Sequence, residues 1–229
     1  MHEYDYQFKK IMSDNGRFAD LYNHTVLRDI AFIDLKTLRN EYTEEQIEID
    51  GKLKVTVRDL IKRGVITFYS DGHKSVCYFG LEGKMESETA YVVRMKMRDS
   101  GIYERQLMEK KRRGKKKKLE PVINLGVCLR KGKWHAMRSL QERMDPKTVQ
   151  RLKINGQEEI ILMPDEMDDT IIRSMNTDVK ELFLIIKYQE SPQKLSVIIQ
   201  EDGFRNMRKD MAEAIMVFTT IRRGSPSLQ

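Results

Sequence analysis

Two β-branched and aromatic runs, 64–69 and 76–85, flank Ser70-Asp71-Gly72, and this run-turn-run commits the middle of the chain to paired strands. Everything else must be arranged around them. Upstream, Tyr4, Phe8, Ile11 and Met12 recur at i, i+4, i+7 and i+8, the spacing of an amphipathic helix that Ser13-Asp14-Asn15-Gly16 ends. A second helix carries Phe18, Leu21, Tyr22 and Thr25 on one face. Residues 30–33 read as a short strand, Thr43-Glu44-Glu45-Gln46 as a turn or helix start, and 47–57 as partly alternating strand. Downstream, 90–110 has only Gly101 as a helix-breaker and is expected to be helical, carrying Arg94, Met97, Tyr103 and Leu107. A buried strand over 121–129 and a loop at Gly132-Lys133-Trp134 follow.

Past Met144, Asp145-Pro146 marks a helix start or turn and 158–163 a strand. Thr177 or Asp178 is positioned to cap a helix whose apolar stripe is Val179, Leu182, Phe183 and Ile186. A final helix is expected over 205–221, before a disordered end at Gly224-Ser225-Pro226-Ser227. A chain of 229 residues can build one sizeable core. The expected organisation is a core over 1–144, with 145–229 as a helical C-terminal extension packed on it.

Hydrophobic residues make up 40% and charged residues 34%, a globular composition with a heavily charged surface. No segment approaches the roughly 18 apolar residues of a membrane span. The opening His2-Glu3-Tyr4-Asp5 does not read as an export leader, so no membrane partner and a cytoplasmic location are expected. Cys77 and Cys128 lie in apolar runs and read as small buried hydrophobes of a reducing compartment. Neither they nor the four histidines have zinc-type spacing.

The net charge of +7 is local in origin. Lys110, Lys111, Arg112, Arg113, Lys115, Lys116, Lys117 and Lys118 together exceed it, leaving the rest of the chain near neutral. Such a tract reads as a mobile loop that binds DNA phosphates without reading sequence, with salt-sensitive affinity, or as a solvated loop with no partner.

Chemistry enters at Glu82. Along 76–85 side chains alternate, so Tyr78, Gly80, Glu82 and Lys84 share one face and Cys77, Phe79, Leu81 and Gly83 the other. Glu82 and Lys84 therefore project together, roughly 7 Å apart along the strand. Gly80 and Gly83 leave little bulk nearby, as close approach of a phosphate to the backbone would require. Asp59, in Val57-Arg58-Asp59-Leu60, offers a second carboxylate at the start of the preceding strand. Mg²⁺ takes one or two carboxylates plus waters, and Asp59, Glu82 and the Gly83 carbonyl are its candidate ligands. Lys84 is suited to orient or help deprotonate a water and to neutralise a pentacovalent phosphate. A Glu-x-Lys pair is equally what a solvated strand edge with a weak ion pair looks like.

The order of these segments resembles the PD-(D/E)xK nuclease superfamily, and within it the recombination-promoting nuclease and transposase family of bacteria. Asp5-Tyr6-Gln7-Phe8-Lys9-Lys10 resembles its D-x-x-F-K signature, and Phe18-Ala19-Asp20-Leu21-Tyr22-Asn23 its F-A-D-L-F-N segment. Arg58-Asp59-Leu60-Ile61-Lys62 is similar to its R-D-V-x-K element, and Leu81-Glu82-Gly83-Lys84 sits where relatives have I-E-N-Q. Arg94 and 103–107 resemble the following helix, Pro121-Val122-Ile123 and Trp134 the next strand and loop, and 177–186 a late F-K-S-D-F-K-x-I segment. The chain departs from the pattern at Val92-Val93, where the family has M-P, and at Arg98, where it has a tyrosine.

The resemblance implies an α/β, restriction-endonuclease-like core with a mixed central sheet flanked by helices. It also implies Mg²⁺-dependent DNA endonuclease activity of a transposase or recombination-promoting type. Asp59, Glu82 and Lys84 would be catalytic, and Mn²⁺ would be a substitute metal. Asp5, Lys9, Arg94 and Gln106 are supporting candidates around that centre, and solvated or structural roles are the alternative for each. No small-molecule cofactor is implied, and a homodimer is compatible with cutting both strands. The alternative function is a non-catalytic nucleic-acid-binding or scaffold protein derived from a nuclease fold.

Overall fold

The computed structural model describes residues 3–41, 44–49, 52–57, 60–112, 118–152, 156, 158–201, 204 and 206–220, leaving undescribed the side chains of 44–49, 52–57, 110–112 and 220. Two helices open the chain, α1 (Glu3–Met12) and α2 (Asn15–His24). They are hinged at Asp14, which caps α2 by accepting the Arg17 backbone N–H at 3.0 Å. Strand β1 (Ala31–Asn40) follows, then a separate antiparallel hairpin of β2 (Glu44–Ile49) and β3 (Lys52–Val57). Glu44 and Glu45, expected in a turn or helix start, belong to β2 instead. Cross-strand pairing with β3 overrides their weak local preference.

The main sheet adds β4 (Leu60–Phe68), β5 (Lys74–Lys84), β6 (Val122–Cys128) and the two-residue β7 (Ile161–Leu162). Its order is β1-β4-β5-β6-β7, with β5 in the centre. Strand β4 is antiparallel to both β1 and β5, and β5, β6 and β7 are parallel, so the protein is an α/β fold with a mixed five-stranded sheet flanked by helices. The parallel step from β5 to β6 requires a crossover, which α3 (Tyr91–Arg112) supplies. Helix α3 carries the backbone of the basic tract as far as Arg112, so its first three positions extend a helix instead of forming a loop.

Alternation sends β5 side chains to two different layers. Cys77, Phe79 and Leu81 join the main core with Phe8, Phe18, Leu21 and Tyr22 of α1 and α2. On that face a methyl group at Gly83 would meet the Phe8 ring at 2.6 Å, so the bare backbone admits α1 and not a phosphate, contrary to expectation. Tyr78 lies on the opposite face with Ile61 and Ile102. There α3 turns one continuous stripe to the sheet: Tyr91, Met95, Arg98, Ile102 and Gln106 are all buried at successive steps of three or four. Of the helix residues expected from the sequence, Leu107 is 55% exposed.

The chain forms α4 (Pro146–Leu152) before β7 and, beyond it, α5 (Asp169–Ser174), α6 (Val179–Tyr188), α7 (Pro192–Ile198) and α8 (Lys209–Thr220). The expected strand over 158–163 contracts to Ile161–Leu162, and the last helix starts at Lys209. The stripe Val179, Leu182, Phe183 and Ile186 is buried and enters the same core as Phe8, with Met211, Ala214 and Phe218 of α8. Asp178 does begin α6, but its carboxylate makes no cap bond. It is taken by the Arg17 guanidinium, at 2.5 and 2.6 Å, and the same guanidinium reaches Asp210 at 2.7 and 3.0 Å. Asp20 of α2 accepts from the Asn176 and Thr177 backbone N–H groups and from the Thr177 hydroxyl. These bonds tie residues near 180 and 210 to α2.

Candidate active site

Glu82 projects from the central strand onto the α3 face and is 2% exposed. That removes the solvated strand edge as an account of the Glu-x-Lys pair. A carboxylate placed there needs cations, and two supply them. Lys84 Nζ lies 3.2 Å from one oxygen, and the Arg98 guanidinium of α3 is ion-paired to the other. Lys84 also reaches Glu88 at 3.5 Å, and Glu88 is paired to Arg94. Two carboxylates and three cations thus alternate across the β5–α3 junction. The Lys84 ammonium sits 5.8 Å from the centroid of the Tyr91 ring. Tyr91 is in turn set by the bare backbone of Gly126, where a methyl would meet its hydroxyl at 2.5 Å, and by Trp134 edge-on at 5.5 Å.

The expected supporting residues divide. Arg94 is held by Glu88, and the stripe residue Arg98, four positions on, meets Glu82 in its place. Gln106 closes a reciprocal pair with the Glu120 backbone, donating to its carbonyl at 3.0 Å and accepting its N–H at 2.8 Å. That bond fixes the entry of β6 and lies away from Glu82 in the chain's register. Lys9 lines a cavity of about 460 Å³ with Tyr6, Lys10, Leu60 and Ile61, while Asp5 is half-buried on α1. Lys62, the last residue of the Arg58–Lys62 segment, is fully buried on the α1–α2 face. It donates to the Ser13 carbonyl at 2.5 Å and to Asn15 Oδ1 at 2.6 Å, and burial pushes its ammonium down to a pKa of about 8.

Asp59 lies outside the described residues; the next residue, Leu60, pairs with Leu81, the neighbour of Glu82. Of the basic tract, Arg113, Lys115, Lys116 and Lys117, and the side chains of Lys110, Lys111 and Arg112, are likewise outside, while Lys118 is exposed. A second basic surface is described. At the carboxyl end of β6, beyond Lys84, a cleft of about 360 Å³ is lined by Ser87, Arg130, Lys131, Lys133 and His135, with Glu86 as its acidic member. The Lys84 carbonyl accepts from Leu129 N–H at 2.7 Å, and Ser87 Oγ accepts from His135 N–H at 2.8 Å, which join the cleft to the ion cluster. Open α/β sheets place ligands at the carboxyl ends of their strands.

Glu88 and Arg98 were missed by sequence reasoning, although each carried a signal. Glu88 is four residues beyond Lys84, and Arg98 is the one cation in the buried stripe of α3. Both cysteines are buried, and burial pushes their thiols up, away from nucleophilic use. Among the described residues no group of three or more His, Cys, Asp or Glu converges on one point. The carboxylates present are hard oxygen donors of the kind Mg²⁺ takes in ones and twos, and Glu82 offers one, with Lys84 and Arg98 ion-paired to its two oxygens. No helix among the described residues is long and apolar enough to cross a membrane. Comparison of the chain with protein-family models, curated proteins and solved structures finds no match.

Proposed function

We propose that the protein is a Mg²⁺-dependent DNA endonuclease of the recombination-promoting, transposase-like type, built on a restriction-endonuclease-like core. The observation that carries this reading is Glu82: a carboxylate 2% exposed on the central strand, with an ammonium from the same strand 3.2 Å away. Burying an ion costs several kcal/mol, and packed apolar residues in its place are often as stable or more so. Its retention at the C-terminal end of a parallel strand, beside a basic cleft, points to chemistry. Element order supports this reading: helices, β1-β4-β5 antiparallel, then α3 and a parallel β6 surround the Glu-x-Lys segment in the central strand.

In this reading Asp59 and Glu82 hold the metal and Mn²⁺ substitutes for it. When bound, the ion supplies charge stabilisation on the phosphoryl oxygens and an acidified water. Lys84 orients the attacking water and neutralises charge growing on the phosphate, while Glu82 and Glu88 fix its ammonium. The water oxygen forms a bond to phosphorus as the ester P–O bond breaks; the water gives up its proton to solvent, and the leaving oxygen takes one from solvent. Lys133, Arg130 and the 110–118 tract hold flanking phosphates without reading bases. Nicking of supercoiled plasmid in Mg²⁺, lost in Asp59→Asn, Glu82→Gln and Lys84→Ala, is the expected result. Undiminished nicking in all three variants contradicts it.

A second reading, a non-catalytic nucleic-acid-binding protein derived from such a nuclease, is favoured by one observation: Arg98 neutralises Glu82 internally. It expects DNA binding that persists in chelator, no nicking by any variant, and a salt dependence that flattens when the tract is neutralised.

A further inference from the structure

Arg130 and Lys133 are exposed, and among the described residues neither side chain meets a carboxylate. The backbone that carries them is nonetheless fixed. Leu129 N–H donates to the Lys84 carbonyl at 2.7 Å, Gly132 N–H to Asp165 Oδ2 at 2.9 Å and His135 N–H to Ser87 Oγ at 2.8 Å. Trp134 is buried edge-on against Tyr91. Lys131, between the two, is spent on Glu190 at 3.0 Å. Two cations thus stand ready on a braced loop without an internal partner, which is what preorganised capture of an anion requires. Ser87 adds a donor, because its oxygen accepts from His135 while its hydroxyl hydrogen has no acceptor among the described residues.

These groups line one concavity of about 360 Å³, outside the carboxyl ends of the neighbouring parallel strands β5 and β6. Buried Cys128 and Met163 form its apolar part. Glu86 is its one acidic lining residue, so two unspent cations face one carboxylate, a balance suited to a single phosphate. The volume is that of a small-ligand pocket, larger than a bare ion needs. A duplex presents its phosphates on a convex rod, which a flat basic surface meets, whereas single strands are held in basic grooves that the backbone enters. Extending the nucleic-acid reading, on which it rests, we propose that this cleft seats the phosphate of an unpaired nucleotide, free or at the end of a single strand. Arg130 and Lys133 hold the oxyanion, and Ser87 donates its hydroxyl to it. No metal takes part.

Trp134, the only tryptophan of the chain, stands in this loop. Its neighbour Tyr91 begins α3, and Arg112, in the basic tract, ends that helix roughly 30 Å away, so Trp134 fluorescence reports on the cleft and not on the tract. The experiment titrates the full chain, in chelator at fixed ionic strength, with thymidine 5′-monophosphate, thymidine, a 5′-phosphorylated oligothymidylate and a blunt duplex of equal length. Both single-stranded phosphate probes are expected to give a saturable change, thymidine none and the duplex far less. The phosphorus resonance of the monophosphate, broadened on binding, is the second readout. Arg130→Met and Lys133→Met are each expected to weaken binding about tenfold, the loss of one charge-assisted hydrogen bond, with recovery in Arg130→Lys and Lys133→Arg. Lys147→Met removes an exposed charge on α4 and is expected to change Kd less than twofold. Tighter binding of the oligothymidylate than of the monophosphate identifies a strand end as the occupant, and the reverse a free nucleotide. No saturable change in either readout, an equal response to thymidine or to the duplex, or an equal loss in Lys147→Met overturns the proposal. Plasmid nicking with no response at the cleft refutes the cleft and leaves the hydrolase reading, while a saturable response in a protein that nicks nothing does the opposite.

Discussion

Both faces of the central sheet bury charge, and they balance it differently. On the α1–α2 face, Arg17 is 1% exposed and makes two-pronged contacts with Asp178 and Asp210, which lie far from it in sequence. Lys62 on that face ends on a backbone carbonyl and an amide oxygen and lies over the Phe18 ring. On the α3 face, Lys84, Arg94 and Arg98 converge on Glu82 and Glu88, three cations against two carboxylates among the described residues, all within one strand-to-helix connection with a cleft beside it. The first pattern staples distant segments, and each cation there meets fixed acceptors. In the second, all the partners come from one strand-to-helix connection that borders a cleft. A buried ion pair alone is weak evidence of purpose; the contrast between the faces separates a staple from a site.

Substitutions can break that contrast, and the largest effect is expected at Arg17. Arg17→Met removes the two-pronged partner of Asp178 and Asp210, leaving Arg208 at 3.7 and 3.9 Å, and should cost about 3 kcal/mol in urea unfolding. Arg98→Met should cost less, because it unpairs one carboxylate, which Lys84 still reaches at 3.2 Å, where Arg17→Met unpairs two. Equal losses would erase the distinction between the faces. Next comes Gly83→Ala, which forces a methyl into the Phe8 ring and should cost about 1–3 kcal/mol by overpacking. A neutral Gly83→Ala would mean that α1 does not depend on that close approach.

Smaller effects lie in pH dependence. Burial lowers the Lys62 pKa to about 8. Below pH 8 both folded and unfolded chains carry its proton; between about 8 and the ordinary lysine value near 10.4 only the unfolded chain does. Unfolding then takes up a proton, so this group makes stability rise with pH across that window. Wild type minus Lys62→Met should show the rise in urea midpoints, and a flat difference would show that Lys62 keeps its proton in the fold. At the acid end, the Arg17 hydrogen bonds hold the Asp210 carboxyl below its ordinary value. Its contribution is present above the ordinary carboxylate range and fades as pH falls through the folded value, and Asp210→Asn should soften the acid limb.

Much of this arrangement is legible along the chain. The alternation over 76–85 puts Glu82 and Lys84 on one face, and the i, i+4 pattern of Tyr4, Phe8 and Ile11 places α1. Burial was less legible: a Glu-x-Lys segment looks alike on an edge and in a central strand until the partners of β5 are known. Arg98 escaped for a related reason. A cation in a helix reads as solvated, and only the neighbouring Tyr91, Met95 and Ile102 show that its position faces the sheet. Helices α5 and α7, six and seven residues long, are too short to express a period. The Asp178 cap was displaced by an arginine 161 positions earlier, a contact that no local pattern encodes.

The claim beneath all of this is that the Glu82–Lys84 centre cleaves phosphodiesters. The most direct measurement is Mg²⁺-dependent nicking of supercoiled plasmid by wild type and by Glu82→Gln prepared in parallel, with folding matched by urea midpoint. Nicking by wild type that falls at least a hundredfold in Glu82→Gln is the predicted result. No nicking by the wild-type protein in Mg²⁺ or Mn²⁺, or equal nicking by both proteins, contradicts it.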